Sequence, residues 1–147
     1  MEFLAPLTTP DAGLGGLFVL SVLAATLLPG GSEAALLALL IARPELAWPA
    51  LLVATLGNTL GGMTTYALAR ALPMKVSLDE TAARRVATLR RWGPPALLLA
   101  WMPVIGDALC AAAGWLRLPA PPCAAWMAAG KAGRYGVVIA TLASATT

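Results

Sequence analysis

Histidine is absent from this chain and cysteine occurs only twice. The first absence removes the commonest metal ligand and the side chain that titrates at physiological pH, so neither a Ser-His-Asp triad nor an HExxH zinc site is possible. Cys110 and Cys123 lie in apolar stretches without CxxC spacing and read as packing residues, not as a metal or redox pair. There is no P-loop, and Gly13-Leu14-Gly15-Gly16 is too short and wrongly placed to cradle a phosphate. No enzymatic activity, cofactor, metal or nucleic-acid partner is expected.

Charge is the next scarcity. Only 12% of residues are charged, against about 25% in a soluble domain, while 59% are hydrophobic and the mean hydropathy is +0.79. So few charges cannot coat a water-facing surface, and the solvent that suits the composition is a bilayer. Met1 to Pro10 lacks a basic region, so no cleaved signal peptide is expected and the first apolar stretch stays. The basic residues that do exist cluster: Arg70, Lys75, Arg84, Arg85, Arg90 and Arg91 face only Asp79 and Glu80. The positive-inside rule places this segment in the cytoplasm of a multi-pass membrane protein.

What is present is a repeat. Sliding the chain until Pro29 falls on Pro103 also brings Glu33 onto Asp107, Arg43 onto Arg117 and Gly62 onto Gly136. Each half reads as an apolar run, a break, an acid, a short apolar run and one complete crossing. Leu46 to Ala69 is long enough to span; about Pro121 to Ala143 is its counterpart. The runs before them are interrupted, at Pro29-Gly30-Gly31 and at Pro103-Val104-Ile105-Gly106, where proline removes a donor and glycine relaxes the backbone. Both therefore read as re-entrant helical hairpins, tolerable at membrane depth only where buried in protein or lining a wet cavity.

The expected fold is a single all-α membrane domain over residues 1–147 with an inverted internal repeat, the halves spanning about 12–70 and 92–147. Inversion follows because one crossing per half reverses the direction of the next. In the 71–91 link, Ser77-Leu78-Asp79-Glu80 has capping-box spacing and predicts a helix toward Trp92, with Leu78, Ala82, Val86 and Leu89 on one face and Arg84 and Arg91 opposite. Such a helix suits the inner leaflet or serves as a plain connector. Trp48, Trp92 and Trp115, at segment ends, read as interfacial anchors.

Four charged residues stand in apolar surroundings: Glu33, Asp107, Lys131 and Arg134. Each is costly there, about 2.5–3.5 kcal/mol near a bilayer centre on insertion scales, and so is a functional candidate. Both acids follow a break, where a helix N-terminus favours the carboxylate and burial favours the acid, a balance that suits proton exchange. Lys131 and Arg134 share a helix face and are placed to neutralise the acids or to hold a phosphate. The alternative is an internal charge network that holds two hairpins together. Gly57-Asn58-Thr59-Leu60-Gly61-Gly62 offers small residues for close helix approach, and Asn58 within it needs a partner or a wet cavity.

Three blocks of the chain resemble the DedA superfamily of VTT-domain membrane proteins, and within it the small YqaA branch. They are Leu27-Leu28-Pro29-Gly30-Gly31-Ser32-Glu33; Gly57 to Gly62 with Tyr66 and Arg70; and Trp101-Met102-Pro103-Val104-Ile105-Gly106-Asp107 with Ala113 to Pro119. The resemblance implies paired re-entrant hairpins and transport of phospholipid or a lipid-phosphate carrier between leaflets, often with proton coupling. By position Glu33, Gly57, Gly61, Tyr66, Arg70 and Pro103 match the family pattern. Many DedA proteins carry arginine where this chain has Gly106-Asp107, so Lys131, Arg134 and Arg70 are the expected phosphate ligands here. Two rival functions use the same residues: a proton- or ion-coupled exchanger of a small solute, and a non-transporting assembly scaffold. So small a bundle makes a homodimer a reasonable expectation.

Overall fold

The computed structural model describes residues 10–26, 31–73 and 77–147. Pro29, Gly30 and Lys75 lie outside them. Among the described residues the chain is wholly helical: α1 (Pro10–Thr26), α2 (Gly31–Ala42), a 3₁₀ turn (Pro44–Leu46), α3 (Ala47–Arg70), α4 (Glu80–Trp92), a 3₁₀ segment (Pro94–Trp101), α5 (Ile105–Trp115) and α6 (Ala120–Ala145).

The 24 residues of α3 rise about 36 Å at 1.5 Å each, more than the hydrocarbon thickness of a bilayer. With the short turn before it, α3 alone among the described helices combines that length with the apolar composition of a crossing. α6 is as long, 26 residues, but carries Lys131 and Arg134.

Glycine contacts fix the helix directions. A side chain at Gly57 would meet Phe18 and Ser21, and one at Gly61 would meet Val22 and Ala25, so α1 and α3 run parallel at close range. The small-residue run in α3 thus packs as its composition predicts. Gly62 lies against Cys110, and Gly114 against the carbonyl of Tyr66, which sets α5 parallel to α3 as well. Lys131 reaches back to Asn58 while Met127 sits by Gly62, so α6 runs the other way. α2 and the 3₁₀ segment accompany α6, through Glu33 with Arg134 and through Leu98 with Gly130.

Three local expectations are corrected. The first arm of the second hairpin is not an α-helix from Trp92: Trp92 ends α4, and an eight-residue 3₁₀ segment opens at Pro94-Pro95. Such runs rarely exceed three or four residues; here the carbonyls of Leu98 and Ala100 lean against the bare Cα of Gly130 and Gly106. Gly106 accordingly belongs to α5 and serves close packing, and the break falls one step earlier. At Val104 (φ 66, ψ −54) the Ile105 amide donates to Pro103 across 2.7 Å, a γ-turn of the strained hand that is unusual for a β-branched residue. Finally, α4 is capped by Asp79, whose carboxylate accepts from the Ala82 amide, and not by Ser77.

Of the apolar face predicted for α4, Leu78 is exposed and Ala82 half-buried, while Val86 and Leu89 are buried, Leu89 in one cluster with Tyr66, Leu97 and Cys110. That cluster surrounds the C-terminal half of α3. A second, formed by Leu17, Leu36, Leu40, Ala50, Ala54 and Tyr135, surrounds the N-terminal half.

Replacing Gly114 with alanine is expected to lower stability by about 1–3 kcal/mol, the usual penalty for overpacking, because the new methyl group meets main chain that cannot swing aside. Gly136→Ala, where nothing lies within 4 Å, is the matched control and should leave thermal unfolding in detergent unchanged or raise it slightly.

Candidate functional site

Between the two apolar clusters lies a polar layer, at the level of Asn58. That residue is eleven positions from the start of α3 and twelve from its end, roughly 17 Å from either. The layer is built from the first turns of α2 and α5, each following a break in the chain, and from one face of α6.

Glu33 stands in the first turn of α2 and is ion-paired with Arg134 Nε. The second nitrogen of that guanidinium, Nη1, donates to the Trp101 carbonyl at 3.0 Å, tying the end of the 3₁₀ segment to the same arginine. Ser32, next to Glu33, is buried and accepts from the Tyr135 hydroxyl (2.8 Å) and from the Asn58 amide (3.4 Å). Lys131, only 2% exposed, donates to the Asn58 carbonyl at 2.6 Å. One turn of α6 therefore presents lysine, arginine and tyrosine to α2 and α3.

Asp107, in the first turn of α5, is half-buried and makes no hydrogen bond or ion pair among the described residues. It lines a cavity of about 20 Å³ together with Ser32, Asn58, Pro103 and Arg134. That is room for one water molecule; Glu33 does not line it, and Arg134 is the residue common to this cavity and to the groove that Glu33 lines. The expectation that the two cations neutralise the two acids holds for Glu33 and Arg134. Lys131 donates to main chain and forms no ion pair within 4 Å among the described residues.

On its outer side the Glu33–Arg134 pair forms part of the wall of a groove of about 620 Å³. Everything else in that wall is apolar or glycine, including Leu98, Trp101, Gly133 and Val137. Leu98, Trp101 and Val137 are exposed, so the groove opens where lipid would surround the helices.

Arg70 is not part of this site. It lies about 18 Å along α3 from Asn58 and donates to the Tyr66 hydroxyl (2.8 Å) and the Leu118 carbonyl (3.3 Å). Tyr66 donates to the same carbonyl. The pair clamps the turn between α5 and α6, where Arg117 adopts φ 56. Trp115 is likewise held, its indole N–H donating to Pro73 at 3.2 Å, whereas Trp48 and Trp92 are exposed as anchors would be.

Sequence reasoning missed Ser32 and Tyr135. The signal for the tyrosine was its place one turn after Lys131 on the same helical face; the serine adjoins Glu33 in a first turn, where hydroxyls commonly seek partners.

No family model matches the chain, and no solved structure matches it. Inner membrane protein YqaA of Escherichia coli is 43% identical over 127 residues, which cover 86% of this chain and 89% of that protein. The Shigella flexneri protein of the same name matches equally. An uncharacterized protein of Haemophilus influenzae is 39% identical, with 81% of this chain and 80% of its own length covered. At that identity and coverage, with α3 long and apolar enough to cross a bilayer, this chain belongs to the YqaA family of inner membrane proteins in the DedA superfamily.

Proposed function

We propose that the chain is a transporter, not an enzyme, that moves a lipid or lipid-phosphate carrier between the leaflets of the inner membrane with proton coupling. The observation that carries this reading is the placement of a single ion pair, Glu33–Arg134, in the wall of an otherwise apolar and outward-facing groove at mid-height of α3. A hydrophilic solute would be poorly served by such a wall. An amphipathic one is well served: its phosphate meets the guanidinium, which is shaped for it, while its tails stay among apolar side chains and lipid.

The alternation of helix directions supports the re-entrant, inverted arrangement. The first half runs as α1, then α2 reversed, then α3; the second runs in the opposite sense throughout, as 3₁₀ segment, α5 and α6. Each acid then sits at a mid-membrane chain reversal approached from its own face.

In this mechanism the phosphate competes with Glu33 for Arg134. Glu33 carries a proton while phosphate occupies the guanidinium and gives it up when the ion pair reforms. Coupling follows because two ligands favour opposite states of one arginine. Asp107, which shares a 20 Å³ cavity with Arg134, is the second proton acceptor and passes the proton toward the other face.

The experiment uses vesicles carrying the purified protein, a phospholipid labelled in one leaflet, and an imposed pH gradient. Label should cross only when protein is present and faster with the gradient. Glu33→Gln should leave movement but remove its response to the gradient. Static lipid with uptake of a small anion would favour the exchanger instead. If nothing moves, while Glu33→Gln and Asp107→Asn alter only folding or complex formation, the scaffold reading wins.

A further inference from the structure

A second cavity lies at the other end of the molecule, beside the basic segment. It measures about 250 Å³ and is walled by Ala69 and Leu72 of α3 and its exit, Val86 and Arg85 of α4, and Ala111 and Trp115 of α5. The cavity exists because α4 is tethered unevenly. Its C-terminal part closes on the core through Leu89, whereas its N-terminal part, up to Arg85, and Leu78 just before it stand off from α3 and α5. The Trp115 ring is held in the wall by its bond to Pro73.

Among the described residues, Arg85 is the only charged group in the wall and makes no ion pair. Arg84, Arg90 and Arg91 are exposed on the same helix. Asp79, the acid nearest the mouth in sequence, is already engaged as the cap of α4. The site is thus an apolar slot at one end of the crossing helix with uncompensated positive charge at its rim. In an inner membrane protein the surrounding solvent at that level is the region of lipid headgroups and upper acyl chains.

We infer that this slot is a resident binding site for one anionic phospholipid, an acyl chain seated between α3, α4 and α5 and its phosphate on Arg85. The site is separate from the Glu33–Arg134 groove and does not rest on the transport reading. Its consequence is mechanical: the bound chain props α5 from behind, along Ala108, Ala111 and Ala112, next to Asp107.

The test uses Trp115 as the reporter. Trp48, Trp92, Trp101 and Trp126 are replaced by phenylalanine, and the protein is placed in phosphatidylcholine vesicles containing either phosphatidylglycerol or phosphatidylcholine brominated on the acyl chains. Brominated phosphatidylglycerol should half-quench Trp115 at a mole fraction about fivefold lower than brominated phosphatidylcholine, the preference one arginine confers. Arg85→Gln should remove that preference, and Ala112→Leu, which fills the slot, should remove quenching by both. Equal quenching by the two lipids, or a preference that survives Arg85→Gln, overturns the inference. Should the tryptophan replacements unfold the protein, native mass spectrometry of the unaltered chain decides it: one retained phosphatidylglycerol, lost in Arg85→Gln, supports the site, and no retained lipid refutes it.

Discussion

Arg134→Gln is expected to lower lipid movement in reconstituted vesicles about 100-fold. The guanidinium is the one cation in the groove wall and also anchors Glu33 and the Trp101 carbonyl. Hydrogen bonds to charged groups contribute about 1.5–3 kcal/mol each, and losing the larger value at the rate-limiting state amounts to roughly two orders of magnitude. The variant also leaves Glu33 without its counter-charge, so some loss of stability accompanies the loss of flux. Glu33→Gln in the same background restores stability by removing the unpaired carboxylate, and flux should stay low. Recovery of flux in that double variant would show that Arg134 serves only to neutralise Glu33, the charge-network reading.

Lys131→Met is expected to act in opposite directions on stability and transport. The ammonium is 2% exposed, bonded to one main-chain carbonyl and within 4 Å of no carboxylate among the described residues. Burying a charge without a counter-ion is expensive, and replacing buried ionic groups with apolar residues of similar volume is often neutral or stabilising by about 1–4 kcal/mol. Methionine keeps the unbranched shape that fits beside Gly62, where even a Cβ would come within 3.0 Å of the lysine nitrogen. An ionisable side chain at membrane depth is a functional candidate, so flux should fall while thermal unfolding moves upward. A destabilised variant with normal flux would make Lys131 a strut between α6 and α3.

Much of this arrangement was readable from residue order. The uncharged run from Leu46 to Ala69 appears as α3 within one residue at each end, because a helix that long and apolar has no competing solution in lipid. Glu33 and Asp107 were legible as equivalent first-turn acids, since helix starts after a break are local features. Partner choice was not legible. Spacing put Lys131 and Arg134 on one face of α6 but could not say that Arg134 meets Glu33, that Lys131 takes a backbone carbonyl, or that Asp107 is left to the cavity. Those outcomes depend on how far apart α2, α5 and α6 stand, which no single segment encodes. The same limit explains Arg70: a family motif fixes its place on α3, and the helix rise then carries it a dozen residues away from the site. The second hairpin's first arm was misread because apolar composition does not separate an α-helix from a 3₁₀ segment, and the deciding contacts, Gly106 and Gly130 against the carbonyls of Ala100 and Leu98, are tertiary. α4 was read correctly as amphipathic, yet amphipathicity alone cannot tell a protein surface from a membrane surface.

The proposed arrangement requires the starts of α2 and α5, at Gly31 and beside Val104, to lie together at mid-bilayer. Spin labels at single cysteines measure depth, after Cys110 and Cys123 are replaced by alanine. Trp48 and Leu72, both exposed, mark the two ends of α3, and exposed Leu56 and Leu60 mark its middle. Labels at Gly31 and Val104 should both report the depth of Leu56 and Leu60; a label at either site that matches Trp48 or Leu72 would contradict the account.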